Sequence, residues 1–425
     1  MRARLRRPFY GWYIVGAAVG VQGMVSALMF QAFGTYVVLL ERDFGWSRTS
    51  LAAAFSFARI EDGLLGPLQG WLLDRVGPRW VMRVGFVLFG LGLFLFSRLD
   101  SLFEFYATYI LMAIGAALAG FLSITTAIVN WFERRRSFAM GLALLGAPVG
   151  GLALPFVVSA LETYGWRPVA AASGVIVIVF GLPLAQVVRR HPSDLGLRAD
   201  GDPPIEVTRD LDGNEPEPSE DLRVFTAREA LATRAFWFIS LAHAAAVLVV
   251  SVVQVHFVAH VNESLGYSLT QAAAMLTLMT ILNLVGRVGG GYLGDRINTR
   301  NVLIGAMLMH AAALLFLTFA QSLWMLIAFA VLNGLAWGSR VPLIISMRAD
   351  YFGARSYGTI MGFSSIVVTL GSISGPVLAG ISYDQTGSYT IGFTALAILA
   401  GLGSLFLWFL PAPQDARRAT VEAAS

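Results

Sequence analysis

The chain has 425 residues, of which 56% are hydrophobic and 13% charged, with a formal net charge of +4 and no cysteine. Soluble domains carry about 25% charged residues, so this composition excludes a soluble globule built around a core. The lack of cysteine excludes disulfides, thiol catalysis and cysteine metal sites.

The chain opens on "MRARLRR", followed by an apolar run near 12–38. That run has no small-residue cleavage site and reads as a helix rather than a signal peptide. Further runs follow near 49–73, 79–97, 103–130, 137–160 and 167–188. Each is long enough to cross a hydrocarbon core of ~30 Å. The second run contains "FARIEDGLLG", which places Arg59, Glu61 and Asp62 at membrane depth. Asp62 is about 18 Å from Asp74 along a helix axis. Arg59 and Asp62 are three apart on one helix face and can pair with each other. Glu61 and Asp62 are the acids this reading places at that depth, which makes them the candidate proton-coupling groups.

Residues 189–235 break the pattern. They are polar, bear Pro and Gly, and mix both charges, as in "HPSDLGLRADGDPPIEV". Such a segment cannot bury enough apolar surface to fold alone and reads as a linker. Its end, "VFTAREALATRAFW", predicts a short amphipathic helix on the membrane surface. The expected division is a first half 1–188, a linker 189–235 and a second half 236–425.

Six more apolar runs lie near 236–259, 268–293, 301–319, 323–347, 357–382 and 389–410. The fold class is therefore an all-α membrane protein with twelve transmembrane helices. Helix 7 carries Gln254, a candidate substrate contact, and His256, a candidate proton relay near the outer mouth. His243, His260 and His310 read as packing residues, and no histidine spacing suits a metal. Helix 8 carries Arg287, in a run with no other charge from Ser268 to Gly294. It lies roughly 12 Å inside the Asp295 end. A charge at that depth costs on the order of 3 kcal/mol or more, so a neighbouring helix or a ligand must answer it. A carboxylate fits, because guanidinium binds it through two parallel hydrogen bonds. Asn283 lies one turn before Arg287 on the same face. Helix 10 places Arg340 roughly 15 Å from Asp350. Arg340 is either a second anion contact or a latch to Glu61 or Asp62 of the other half.

Orientation follows from arginine. The N-terminus and every second connection are basic: "DRVGPR", "ERRR", the segment after Val188, "DRINTR", "RADYFGAR" and the tail with Arg417 and Arg418. By the positive-inside rule both termini are cytoplasmic. Nothing in the pattern suggests nucleic-acid binding. No GxxxxGKS or GxxxxGKT loop occurs, so ATP is not expected to drive the protein, and no cofactor is expected. The glycine run "GRVGGG" at 286–291 reads as close helix packing rather than phosphate binding.

The halves repeat at an offset of about 221 residues. "GWSRTSLAAAF" at 45–55 matches "GYSLTQAAAML" at 266–276, and "GWLLDRVGPR" at 70–79 matches "GYLGDRINTR" at 291–300. Internal repeats on twelve helices point to a secondary transporter with its site near the midplane. "GPLQGWLLDRVGPR" at 66–79 resembles the signature loop between helices 2 and 3 of the major facilitator superfamily, with a weaker copy at 287–300. Small residues at Gly66 and Gly70 let two helices approach closely. The resemblance implies a gate at Asp74, Arg75 and Arg79, with Asp295 and Arg296 at the matching places. Asp74 is placed to pair with arginines or a helix terminus.

A narrower resemblance is to monocarboxylate transporters and bacterial oxalate/formate-type carriers. It rests on "WFERRRSFAMGLALLGAPVGG" at 131–151, "YGWYIV" at 10–15, and Asn283 with Arg287 on helix 8. It implies a secondary active transporter of a small organic anion, most simply a monocarboxylate, coupled to protons, in the bacterial inner (plasma) membrane. Arg287, Asn283, Arg340, Phe121 and Gln254 are then the substrate-contact candidates. The expected partners are the anion, protons and membrane lipid. Two positions depart from the pattern. Asn283 stands where many eukaryotic relatives have aspartate, which moves the proton carrier elsewhere. Phe121 stands where several bacterial relatives have a substrate-holding tyrosine. The alternatives are a drug or metabolite exporter, from partial likenesses in "GSISGPVLAG" and "GAPVGG", and a non-transporting membrane sensor.

Overall fold

The structure, a computed structural model, describes residues 8–202 and 225–411. Within the second helix the side chains of residues 48, 49, 52, 55, 56, 59, 60 and 62 are also outside the described set. The expectations for the N-terminal arginines, for Arg417 and Arg418, and for the Arg59 and Asp62 side chains therefore lie outside the described residues.

Eleven described helices are long and apolar enough to cross a membrane. They are α1 (Gly11–Phe44), α3 (Pro78–Phe96), α4 (Leu102–Trp131), α5 (Arg136–Tyr164), α6 (Trp166–Val187), α7 (Arg234–Ser264), α8 (Leu269–Gly294), α9 (Thr299–Thr318), α10 (Leu323–Phe352), α11 (Tyr357–Thr386) and α12 (Thr390–Trp408). The helix α2 (Arg48–Val76), set apart by the charges in its sequence, completes twelve. The protein is a multi-pass, all-helical membrane protein.

Within the first half α3 packs on α4 and α6; within the second, α10 packs on α8 and α9, and α7 on α11 and α12. The halves meet where α2 lies on α11 and where the first turns of α5 lie on α8 and α10. The rest of α5 packs on α1 instead. The halves are therefore closed on the side that carries the arginine-rich connections.

Glycine sets the α2–α11 contact. A Cβ added at Gly66 or Gly70 would run into the backbone of Gly362 or Gly358, and the reverse holds for Gly358 and Gly362. Backbones this close have room for hydrogen but not for a side chain. Gly70→Val is expected to prise α2 from α11 and lower the melting temperature of the purified protein by several degrees, as a core overpacking of about 1–3 kcal/mol should. An unchanged thermal transition would refute the tight contact.

Several spans are interrupted. α1 widens into a π-helix at Ser26–Gln31, α4 breaks at Gly120, and α5 breaks after Ala143. Pro148 explains the last break. It has no N–H to give the carbonyl four residues back, so the Leu144 oxygen loses its helical partner.

One expectation changes in detail. The loop reading of "RADYFGAR" put Arg348 in a connection, but α10 runs to Phe352 and buries Arg348 at 1% exposure. The described beginning of the segment 189–235 is tied to the end of α4. Trp131 Nε1 donates to the Arg189 carbonyl at 3.0 Å, and Asn130 Nδ2 to that of Arg190 at 3.0 Å. Asp200 Oδ2 accepts the amides of Glu133 and Arg134 at 3.1 and 2.8 Å. At the far end Thr226 and Glu229 form a capping box on a short helix, Ala227–Ala232, which leads into α7.

Candidate functional site

A cavity of about 420 Å³ lies between the halves, bounded by α1, α2 and α4 on one side and by α7 and α11 on the other. Its walls include Gln22 in α1, Glu61 and Gln69 in α2, Phe121 in α4, His243 in α7 and Ser364 in α11. The interruptions at Ser26–Gln31 and Gly120 border this space, where Met29, Phe30 and Phe121 line it. Along α11 the hydroxyl residues Ser365, Thr369 and Ser372 continue the polar wall.

Of the residues expected to contact substrate, only Phe121 lines this cavity. Arg287 and Asn283 are brought together: Arg287 Nε donates to Asn283 Oδ1 at 2.8 Å. Arg287 Nη1 crosses to the other half and donates to the Leu144 carbonyl, the acceptor that Pro148 leaves free. Arg340 is 2% exposed, and its Nε and Nη1 have no hydrogen-bond partner among the described residues. Gln254 lies exposed on α7 and does not line the cavity. His256 bridges helices, with Nδ1 3.2 Å from the Tyr389 hydroxyl and Nε2 3.0 Å from the Pro376 carbonyl. Glu61, a proton-coupling candidate, lines the cavity.

Sequence reasoning passed over Arg348. It donates to His243 Nδ1 at 3.0 Å, to Ser364 Oγ at 2.7 Å and to Met361 sulfur at 3.2 Å. Among the described residues no carboxylate lies within ion-pair distance of Arg287, Arg340 or Arg348. The second half thus holds two buried guanidinium groups, Arg340 and Arg348, and a half-buried one, Arg287, whose described partners are neutral. A helix-boundary signal for Arg348 was present: the turn that ends α10 is at Gly353, with φ of 75°, five residues after it.

On the arginine-rich side two aspartates hold the halves together. Asp74, ending α2, accepts the Gly358 and Thr359 amides at 2.9 and 2.7 Å and the Thr359 hydroxyl at 2.6 Å. Asp295, ending α8, accepts the Ser137 and Phe138 amides at 2.8 and 2.9 Å. The two sets are images of each other: 295 − 74, 358 − 137 and 359 − 138 all equal 221. Each carboxylate sits on the first turn of a helix from the other half, where free N–H groups and the helix dipole favour negative charge. Burial raises the Asp295 carboxyl above the ordinary carboxylate range, and the bonds from Phe138 and Ser137 oppose that rise. Arg136 adds an ion pair across the halves to Asp350 at 2.5 Å.

The neighbouring arginines act locally. Arg75 stacks over Trp71 at 5.2 Å and Arg296 over Tyr292 at 4.1 Å. Arg79 bonds the Val188 and Gln186 carbonyls of its own half, both at 2.9 Å. Arg300 does the same to Leu410 and Trp408.

The chain is 28% identical over 408 residues to monocarboxylate transporter 13 of Rattus norvegicus, covering 93% of this chain and 88% of that protein. It is 25% identical over 384 residues to the membrane sensor protein UhpC of Salmonella typhimurium (strain LT2), covering 87% of this chain and 83% of that protein. Among solved structures, the transporter FucP in the outward conformation superposes with a TM-score of 0.70 at 18% identity, covering 94% of this chain and 99% of that one. The family profile of the Major Facilitator Superfamily matches residues 19–288 and 239–425. With that match spanning both halves, and with twelve helices closed on one side by paired helix caps, the chain belongs to the Major Facilitator Superfamily.

Proposed function

We propose that the protein carries a small organic anion, most simply a monocarboxylate, by alternating access and coupled to protons. The observation that carries this reading is the set of three arginines, Arg340 and Arg348 buried and Arg287 half-buried, whose described partners are all neutral. A guanidinium held away from water without a counter-charge is costly, and an anionic ligand removes that cost while gaining a bidentate contact. The likeness to monocarboxylate transporter 13 supports the same ligand class. The positive-inside rule assigns the closed, arginine-rich side to the cytoplasm of the inner (plasma) membrane, with both termini there. The arrangement described is then an outward-facing state.

Glu61, on the cavity wall, is the proposed proton carrier, and Asp62 beside it in sequence is its alternate. Protein reconstituted in liposomes should exchange labelled propionate or 2-oxopropionate in counterflow and accumulate it when a pH gradient is applied. Glu61→Gln, alone or with Asp62→Asn, should abolish accumulation while counterflow at fixed pH survives. Full gradient-driven uptake by the double variant would remove the coupling role, and absence of counterflow for any carboxylate would remove the carrier reading. The likeness to UhpC favours a second reading, a sensor that binds without transporting. A sensor should bind the same anions and show no exchange.

A further inference from the structure

The carrier reading uses the charge of Arg348 in α10 but gives no task to its contact with His243 of α7. Arg348 is 1% exposed, and one of its Nη2 contacts is His243 Nδ1 at 3.0 Å. Arginine has five N–H donors and no acceptor. The ring nitrogen facing it must therefore present a lone pair, and in the neutral ring the proton sits on Nε2. His243 lines the cavity, and its Nε2 makes no hydrogen bond to a described residue. The same Nη2 donates to Ser364 Oγ at 2.7 Å, and Ser364 in turn lies 2.9 Å from Ser240 Oγ. One buried guanidinium thus orients two adjacent wall residues, one on each of two helices.

A donor with a fixed proton, facing a cavity, suits an acceptor oxygen of a ligand better than it suits water, because its geometry is set before the ligand arrives. Arg340 sits on the same helix two turns earlier, with Nε and Nη1 unpartnered among the described residues. It keeps this wall attractive to negative charge. We infer that His243 is a ligand-contact residue that donates its Nε2–H to an oxygen of the bound anion, and that Arg348 is the positioning residue that fixes its tautomer. The inference rests on the organic-anion reading and names a contact within it.

The test uses the full chain, purified in detergent at neutral pH and labelled with nitrogen-15 in histidine. His243 is assigned by the signal lost in His243→Phe. The expected spectrum has an unprotonated Nδ1 and a protonated Nε2, and the Nε2–H signal moves when 2-oxopropionate is added. Arg348→Met should yield a mixture of tautomers. In binding, His243→Phe should lose about tenfold in affinity for 2-oxopropionate, the size expected for one lost donor. His243→Gln keeps an acceptor for Arg348 and a donor for the cavity, and should bind within about threefold of the parent. A proton on Nδ1 overturns the inference, as does a folded His243→Phe that binds as tightly as the parent. If His243→Phe does not fold, the signal is assigned from His243→Gln, and an Nε2–H signal that ignores the ligand overturns it. If the parent binds neither acetate, propionate nor 2-oxopropionate although the tautomer is as expected, the organic-anion reading fails and the ligand role fails with it.

Discussion

Arg287→Lys should keep the positive charge on α8 and lose most transport, by about tenfold or more. The guanidinium spans two acceptors on different helices, Asn283 Oδ1 at 2.8 Å and the Leu144 carbonyl. An ammonium is a compact point charge that cannot hold both and still offer a parallel pair of donors to a carboxylate. Hydrogen bonds to charged groups contribute about 1.5–3 kcal/mol each, and each 1.4 kcal/mol is tenfold in an equilibrium. The loss should fall on substrate affinity as well as rate. Counterflow by the lysine variant at the parent rate, with unchanged half-saturation, would show that Arg287 is a structural strut between α8 and α5 and nothing more.

Replacing both Asp74 and Asp295 with asparagine should open the arginine-rich side. Each aspartate presents two acceptor oxygens to two backbone amides, and asparagine presents one acceptor and a donor pointed at an N–H. Losing a charge-assisted bond of about 1.5 kcal/mol shifts a two-state ratio roughly tenfold, and the two sites share no hydrogen-bond partner, so their effects should add. The chain has no cysteine, so spin labels on two introduced cysteines report distance without background. Placed at the arginine-rich ends of α4 and α10, they should show a longer population in each single variant and a dominant one in the double. If the distances keep the parent distribution while transport falls, the aspartates act on folding or insertion and hold no gate.

Much of this architecture is legible in the sequence. Apolar runs report spans because the bilayer imposes their length, and the matching of "GWLLDRVGPR" with "GYLGDRINTR" foretold that Asp74 and Asp295 would occupy equivalent places. Hydropathy does not report where a helix stops once it has left the apolar zone. That is why Arg348 was read as part of a connection. Nor does it report what lies opposite a charge, since the Leu144 carbonyl and Arg287 are 143 residues apart. One signal was available and unused: a proline inside a helix names the carbonyl it orphans, and Pro148 names Leu144. The cavity wall was the least legible part. Gln22, Gln69 and His243 converge there from three helices, and a lone polar residue in an apolar run looks the same whether it faces a cavity or a neighbour.

The paired caps also set which positions can vary. Four of their donors are main-chain amides, those of Ser137, Phe138, Gly358 and Thr359, which every residue except proline supplies; the Thr359 hydroxyl is a fifth, and Gly358 is fixed by its contact with Gly70. Side-chain changes at Phe138 leave its amide in place, whereas proline there would delete it. Asp74 and Asp295 have no such latitude, because only a carboxylate offers two oxygens to a pair of amides at that reach. A saturation library selected for closure on this side should therefore be flat across most substitutions at Phe138, sharply dipped at proline there, and empty at the two aspartates.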